Sequence, residues 1–265
     1  MLGSAFAATP DVLRVCADPN NLPFSNSAGE GFENHLAAII AQDLHADLQY
    51  VWLPERKSFL TRSLGENRCD VVLGVPSGTS SVPVTHPYYR STYVFVARQD
   101  RHITPTSLLD PNLAHFRIGV HVVDDNYAPP AILLAREGLS ANITGYSLYG
   151  SEGELNPPAK LIEAVVCGDV DLAIIWGPFA GYFSKRAKSA LEIVPVSPSS
   201  AGAIPFTYSI SAAVRAGDDE LKSKIDRVFT RECKAIQVLL DQYGIPRMPE
   251  EETAPCDSSQ AHSGF

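Results

Sequence analysis

The sequence is short of basic residues and of long apolar runs. It has 21 Lys and Arg against 30 Asp and Glu, and its formal net charge is -9. A protein that binds nucleic acid through phosphates needs a basic face, and an anionic membrane surface would repel so acidic a chain. No apolar run approaches the roughly eighteen residues of a membrane-spanning helix. We therefore expect a protein that neither binds nucleic acid nor inserts into a membrane.

Paired cysteine motifs are also missing. The five cysteines show no C-x-x-C and no Cys/His ligand spacing, which argues against a zinc site. An odd number leaves at least one thiol unpaired within a monomer. Cys16 and Cys69 lie on or next to two predicted strands and are the first candidates for a disulfide if the chain is exported. The alternative is two buried thiols that pack as small hydrophobes.

Catalytic motifs are missing as well. Ser77 follows a strand, but Gly-x-Ser-x-Gly is absent and no His/Asp partnership is visible. Gly29-Glu30-Gly31 lacks the third glycine of a dinucleotide-binding loop. We expect no catalytic residues, no cofactor and no enzyme activity, although relatives of a fold can acquire activity.

Hydrophobic residues, by contrast, make up 45% of the 265 residues, enough for a sizeable core. Residues 13–17, 48–53 and 70–75 are predicted strands, and residues 32–44 and 59–64 are predicted helices. This alternation predicts parallel βαβ units.

A second alternation follows the first. Its predicted strands are 93–97, 117–120, 145–149, 171–176, 192–195 and 206–214, and its predicted helices are 130–137, 160–166, 180–188, 219–229 and 232–243. The long strands 93–97 and 206–214 are where the chain would cross between two lobes and return. A double crossing predicts a hinge protein with its site in the cleft between the lobes.

Several motifs resemble one family over nearly the whole chain, from Val12 to Pro246. They are Asp18, Pro23-Phe24, Gly31-Phe32-Glu33, Asp70-Val71-Val72, Pro87-Tyr88-Tyr89 and the second-lobe strand entry from Gly168 to Ala173. This pattern resembles the family 3 periplasmic solute-binding proteins. The resemblance implies an α/β, two-lobed, type II periplasmic-binding-protein-like fold, in which each lobe is a mostly parallel sheet flanked by helices.

The resulting domain prediction has five parts. Residues 1–8 resemble the end of a signal peptide, residues 9–97 and 206–249 form lobe 1, residues 98–205 form lobe 2, and residues 250–265 form a disordered acidic tail. The remnant at Ala5-Phe6-Ala7-Ala8 is partly missing its apolar region, and an arbitrary Ala-rich terminus is the alternative.

Three longer segments resemble one subgroup. These are 16–26, 156–159 and 176–182. The subgroup is the quinoprotein-dehydrogenase-associated binding proteins (MxaJ/XoxJ type), encoded beside PQQ-dependent alcohol dehydrogenases and their cytochromes c. Members of the subgroup are periplasmic, so the resemblance implies a periplasmic protein. We also expect a monomer.

The charged groups that bind an amino acid in the transport proteins are missing. Segment 75–86, where those proteins carry an arginine for the carboxylate, has no Arg or Lys. Trp176 stands where the ammonium-binding aspartate would fall, and Asp124 and Asp125 would repel a carboxylate. We expect no ordinary amino-acid binding.

The candidate cleft residues lie at strand ends or in the loops that follow. They are Asp18, Asn21, Phe24, Ser77, Tyr89, His121, Asp124, Asp125, Asn156 and Trp176. Asp18 and Asn21 could equally be turn-forming residues. His121, Asp124 and Asp125 could hold a cation, but a solvated loop is the favoured interpretation and no metal site is predicted.

The sequence thus predicts an accessory protein that binds a PQQ-dependent, methanol-type alcohol dehydrogenase, or assists its maturation, with the cytochrome c as a further partner. The alternative is a transporter receptor for an uncharged or cationic small molecule, with Trp176 and Tyr89 as an aromatic platform.

Overall fold

Two sets of strands, each with its own helices, meet along one long strand. A computed structural model describes residues 11–123, 126–150 and 154–249. The strands are β1 (Asp11–Ala17), β2 (Asn20–Asn21), β3 (Ser25–Asn26), β4 (Ala46–Trp52), β5 (Val71–Pro76), β6 (Tyr89–Arg98), β7 (Ile118–Val123), β8 (Asn126–Tyr127), β9 (Ile143–Ser147), β10 (Leu172–Trp176), β11 (Leu191–Pro195), β12 (Ser200–Ala201), β13 (Ile204–Pro205) and β14 (Thr207–Val214). The helices are α1 (Phe32–Asp43), α2 (Pro129–Arg136), α3 (Lys160–Cys167), α4 (Gly177–Ser184), α5 (Asp219–Arg231) and α6 (Cys233–Gln242).

Each lobe has the same strand arrangement. In lobe 1 the order is β4-β1-β5-β14-β6, with β1, β4 and β5 parallel and β14 antiparallel to both of its neighbours. In lobe 2 the order is β9-β7-β10-β6-β11, with β7, β9 and β10 parallel and β6 antiparallel to β10 and β11. The two-lobed α/β fold with mostly parallel sheets is therefore confirmed.

The crossings between lobes lie inside strands rather than in loops. Thr92 of β6 pairs with Thr207 of β14, and the next residue, Tyr93, pairs with Trp176 of β10. Phe206 is buried in the core of lobe 2, directly before β14 returns to lobe 1. The predicted strand 93–97 was thus too short, because β6 begins at Tyr89. The predicted domain limits remain predictions.

Apolar side chains cover both faces of each sheet. In lobe 1, α1 buries Leu36 and Ile40 against one face, while Leu64 and Val72 belong to a cluster on the other. In lobe 2, α3 and α4 pack on one face, and α2 and the segment around Leu113 pack on the other. Burial on both faces explains why the inner strands β5 and β10 are apolar over most of their length.

Cys16 and Cys69 form a disulfide in the second of these lobe 1 clusters. Their Cα atoms are 5.6 Å apart, and the bond ties the end of β1 to the turn before β5. Next to it, Arg14 donates to both carboxylate oxygens of Asp70 at 3.2 and 2.7 Å. Cys167 is an exposed free thiol.

Local differences from the predicted elements have simple causes. The predicted helix at residues 59–64 is present, but it runs to Gly65 and is a π-helix over Thr61–Gly65. Helix α4 begins at Gly177 rather than at 180, since Pro178 in the first turn favours helix initiation. Among the described helices, none has the length and apolarity needed to cross a bilayer. The predicted signal remnant and the predicted acidic tail lie outside the described residues.

Candidate ligand cleft

A cavity of about 290 Å³ lies where the two lobes meet. Its lining comes from the carboxyl ends of strands and from the loops that follow them, as in other open α/β sheets. The lining residues are Asn21, Phe24, Glu33, Glu55, Gly74, Tyr89, Val123, Leu148, Tyr149, Trp176, Phe179 and Ile210. Four predicted residues, Asn21, Phe24, Tyr89 and Trp176, are therefore brought together.

The carboxyl group of Glu33 lies on the lobe 1 side of the cavity. Glu33 is in the first turn of α1, and a Cβ at Gly74 would lie 2.7 Å from its Oε1. Gly74 has a φ of 75°, a conformation that glycine adopts easily. The backbone N–H of Gly74 donates to the Tyr88 hydroxyl at 3.0 Å, and that hydroxyl donates to Glu33 Oε1 at 3.2 Å. Gly74 thus makes room for the Glu33 carboxyl and Tyr88 positions it.

The second carboxyl group belongs to Glu55, three residues after β4. Asn21 donates from Nδ2 to Glu55 Oε2 at 2.9 Å. The backbone N–H groups of Glu55 and Asn20 donate to the two carboxylate oxygens of Asp18, at 2.6 and 2.8 Å. Asp18 is therefore a turn-forming residue that positions Glu55, and it also lines a second groove between the lobes.

The two glutamates have strongly raised pKa values. Burial, with the nearby charge of Glu55, raises the pKa of Glu33 to about 8. Burial, with the charge of Asp18, raises the pKa of Glu55 to about 7. The described lining residues include no Lys, Arg or His. An anionic ligand would meet carboxyl groups and no cation here, so the cavity disfavours a ligand carboxylate.

Aromatic rings form the rest of the wall. The Trp176 ring lies 5.4 Å from Tyr93 and 5.7 Å from Tyr208, and its side chain hydrogen-bonds to Tyr89. Phe24 from lobe 1 meets Phe179 from lobe 2 edge to face at 5.1 Å. Burial raises the pKa of Tyr89 well above its usual range, so its hydroxyl stays neutral.

His121 is buried in lobe 2 rather than in a solvated loop, and it is not among the described lining residues of the cavity. Its side chain is 3% exposed, with its ring edge-to-face against Phe179 at 5.1 Å and Nε2 3.2 Å from the Pro158 carbonyl oxygen. Burial lowers its pKa to about 4, because an apolar environment penalises the charged ring. Asp124 and Asp125 lie outside the described residues.

Two other predicted residues lie away from the cavity. Ser77 is bound to β14, with its hydroxyl 3.0 Å from the Ser209 carbonyl oxygen and 2.7 Å from Ser211 Oγ. Asn156 lines a second, outer groove of about 660 Å³ between the lobes. Neither contributes to the described lining of the cavity.

The lobes touch across the mouth of the cleft. Asn20 of lobe 1 donates to the Glu154 carbonyl oxygen at 2.7 Å and accepts from the Asn156 N–H at 3.1 Å. The Tyr149 hydroxyl donates to the Glu55 carbonyl oxygen, and the Arg56 guanidinium lies 5.1 Å from the Tyr149 ring centre. The cavity is thus closed on this side by polar contacts between lobes.

The acidic pair and Tyr149 were missed by the sequence-based site prediction. Glu33 was visible only as part of a family motif, and an acidic residue in a first helical turn is ordinary, because it suits the helix dipole. Glu55 follows a strand at the edge where sites form, which was the available signal.

A family comparison decides the classification of this fold. Residues 13–243 match the model for bacterial extracellular solute-binding proteins, family 3. The chain belongs to this family.

Three similar proteins illustrate the comparison with known proteins. Protein MoxJ of Methylorubrum extorquens is 30% identical over 93% of this chain and 85% of its own length. The crystal structure of MxaJ from Methlophaga aminisulfidivorans MPT is 28% identical, with a TM-score of 0.76 over 89% of this chain and all of that one. The periplasmic binding protein XoxJ from Methylobacterium extorquens AM1 is 31% identical, with a TM-score of 0.73 over 90% of this chain and all of that one.

Proposed function

We propose that the protein is a periplasmic accessory protein of a PQQ-dependent, methanol-type alcohol dehydrogenase, which it binds or helps to mature. The observation that carries the proposal is the similarity to MoxJ, MxaJ and XoxJ over 89% to 93% of this chain. The description of XoxJ as periplasmic and the extracellular family description support the location. The disulfide in lobe 1 agrees with an oxidising compartment.

We also propose that the protein does not import amino acids, and the cavity supports this. A receptor for a free amino acid needs a cation for the carboxylate, usually an arginine fork. The described part of the cavity offers Glu33 and Glu55 and no basic side chain.

The outer groove is the surface we assign to the dehydrogenase. It is about 660 Å³, takes residues from both lobes and carries Leu155, which is 82% exposed at its edge. Because Leu155 is exposed at this groove, its substitution tests whether the groove contacts the partner. A chain segment lying along the groove would touch both lobes at once.

The test is isothermal titration of the full chain with the purified dehydrogenase in its apo and metal-loaded forms. We expect binding that prefers the apo enzyme. Leu155→Ser should weaken binding, whereas Val238→Ser, at an exposed residue of α6 that does not line the groove, should leave it unchanged. If neither folded form of the dehydrogenase gives a heat of binding, the proposal is overturned and a small-molecule receptor is favoured.

A further inference from the structure

The cavity has two chemically different sides. Lobe 1 supplies the carboxyl groups of Glu33 and Glu55, which share the space without a basic partner among the described lining residues. The ring of Trp176, packed between two tyrosines, and the Phe24–Phe179 pair supply an apolar, π-rich wall. Carboxylates attract a cation, and aromatic faces attract the same cation through their quadrupoles.

We propose that this cavity binds a small organic cation with a primary ammonium group, held by Glu33 and Glu55 and covered by the aromatic wall. This inference goes beyond the proposed function, since it concerns the inner cavity rather than the outer groove. A free amine and a lysine side chain of a bound polypeptide present the same group.

Size and chemistry favour an organic cation over a metal ion or a larger ligand. The volume of about 290 Å³ lies at the small end of ligand pockets, which span about 300 to 1,000 Å³. In the described part of the chain, no three His, Cys, Asp or Glu side chains are grouped to hold a metal ion. The rings of Trp176 and Phe179 would cover an alkyl chain, which a hydrated metal ion does not need.

Neighbouring backbone and side-chain groups position the two acids. Gly74 leaves the space that Glu33 Oε1 occupies, Tyr88 donates to that oxygen, and Asn21 donates to Glu55. These contacts hold both carboxyl groups in place without neutralising them with a charge. Preorganised, desolvated carboxylates bind an ammonium more strongly than solvated ones.

Cation binding must therefore be coupled to proton release. The raised pKa values, about 8 and about 7, leave the two acids partly protonated near neutral pH. An ammonium ion replaces those protons. The charged and titratable groups that face the two carboxyls are Asp18, Tyr50, Tyr88 and Tyr89. None of these carries a positive charge, so affinity for the cation should rise as pH rises.

The probe is n-butylammonium, with 1-butanol as its neutral counterpart. In isothermal titration of the full chain, we expect the ammonium to bind and the alcohol to give no heat. Binding should tighten between pH 6 and pH 8.5, over which an alkylammonium stays charged. Titrations in buffers of different ionisation enthalpy should show proton release at pH 7.5.

Variants localise the site. Glu33→Gln and Glu55→Gln should each weaken n-butylammonium binding by about tenfold, as expected for loss of a charged hydrogen-bond acceptor. Glu66→Gln, at an exposed carboxylate of lobe 1, should have no effect. Circular dichroism checks folding of each variant, and the wild-type comparison of ammonium with alcohol does not depend on them.

Equal heats for both probes, pH-independent affinity or no binding would each overturn the inference. The titration with dehydrogenase uses no amine, so either proposal can fail alone. If saturating n-butylammonium displaces the dehydrogenase, the natural ammonium is a lysine of that enzyme. If the two bind together, it is a free amine. Both of these outcomes support the site.

Discussion

His121 combines burial with an unsatisfied polar atom. Its Nε2 is within hydrogen-bond distance of the Pro158 carbonyl oxygen, while Nδ1 is buried without a hydrogen-bond partner among the described atoms. Its folded-state pKa of about 4 lies below the value of about 6.5 for an exposed histidine. Between these values the unfolded chain binds a proton that the folded chain does not. Stability contributed by neutral His121 is therefore present above pH 6.5 and is lost as pH falls towards 4.

His121→Gln should flatten that acid dependence. The wild type should lose up to about 3 kcal/mol more than the variant when the pH falls from 7 to 4. Urea unfolding at a series of pH values measures the difference, and His115→Gln, at an exposed histidine, is the control. Parallel pH profiles for wild type and His121→Gln would contradict the assignment of a buried neutral ring.

Sequence reasoning found the cavity residues whose location follows from where the nearest strand ends. Asn21, Phe24, Tyr89 and Trp176 line the cavity for that reason. His121 also sits near a strand end, but its direction depends on Phe179, far along the chain. The direction in which a side chain points at the end of a strand is settled by tertiary packing, which no local pattern encodes.

At the scale of elements, helix α4 and the end of α6 pack without room for a side chain. A Cβ at Gly181 would lie 1.8 Å from the carbonyl oxygen of Gly244. The ring of Tyr182 stacks on Tyr243 at 5.8 Å, and Lys185 Nζ donates to the Asp241 carbonyl oxygen at 3.2 Å. Helix α4 of lobe 2 is therefore held directly against the end of a lobe 1 helix.

Gly181→Ala should destabilise the protein by about 1 to 3 kcal/mol, the usual range for overpacking. The effect should appear as a lower urea midpoint. Gly65→Ala is the matched control, since the nearest atom to its Cβ would be 3.6 Å away and its φ is not positive. Equal urea midpoints for the two variants would show that α4 and α6 can move apart to accommodate a methyl group without loss of stability.

Element prediction succeeded where apolar periodicity and strand alternation were strong, as in α1 and β5. It also found the short helix at residues 59–64, but it did not predict that Thr61–Gly65 would be a π-helix. Such a short stretch lacks the length that makes a helix stable by itself, so its form depends on the packing of Phe59 and Leu64 into the core.

At the scale of the whole molecule, polar contacts close the front of the cleft. The Tyr149 hydroxyl reaches the Glu55 carbonyl oxygen, and Asn20 bonds to residues 154 and 156. Each bond joins lobe 1 to lobe 2. Hydrogen bonds of this kind contribute about 1 kcal/mol each, so a few of them can decide between open and closed lobes.

The double variant Asn20→Ala/Tyr149→Phe should shift the protein towards a more open form. Small-angle X-ray scattering should then give a larger radius of gyration than for the wild type. Phenylalanine keeps the ring against Arg56 and removes only the hydroxyl. Tyr127→Phe, at an exposed tyrosine of lobe 2, should leave the scattering unchanged. An unchanged radius for the double variant would mean that these bonds do not hold the lobes together.

The back edge of the molecule determines how such opening can proceed. After α6, the Pro246 carbonyl oxygen accepts from Ser91 Oγ at 2.6 Å, and the Met248 N–H donates to the Arg90 carbonyl oxygen at 2.9 Å, beside the strand crossings. These bonds tie the residues after α6 to the lobe 1 end of β6, beside the strand crossings. A rotation of the lobes about those crossings would leave this edge intact and separate the lobes at the front, where the Asn20 and Tyr149 contacts lie.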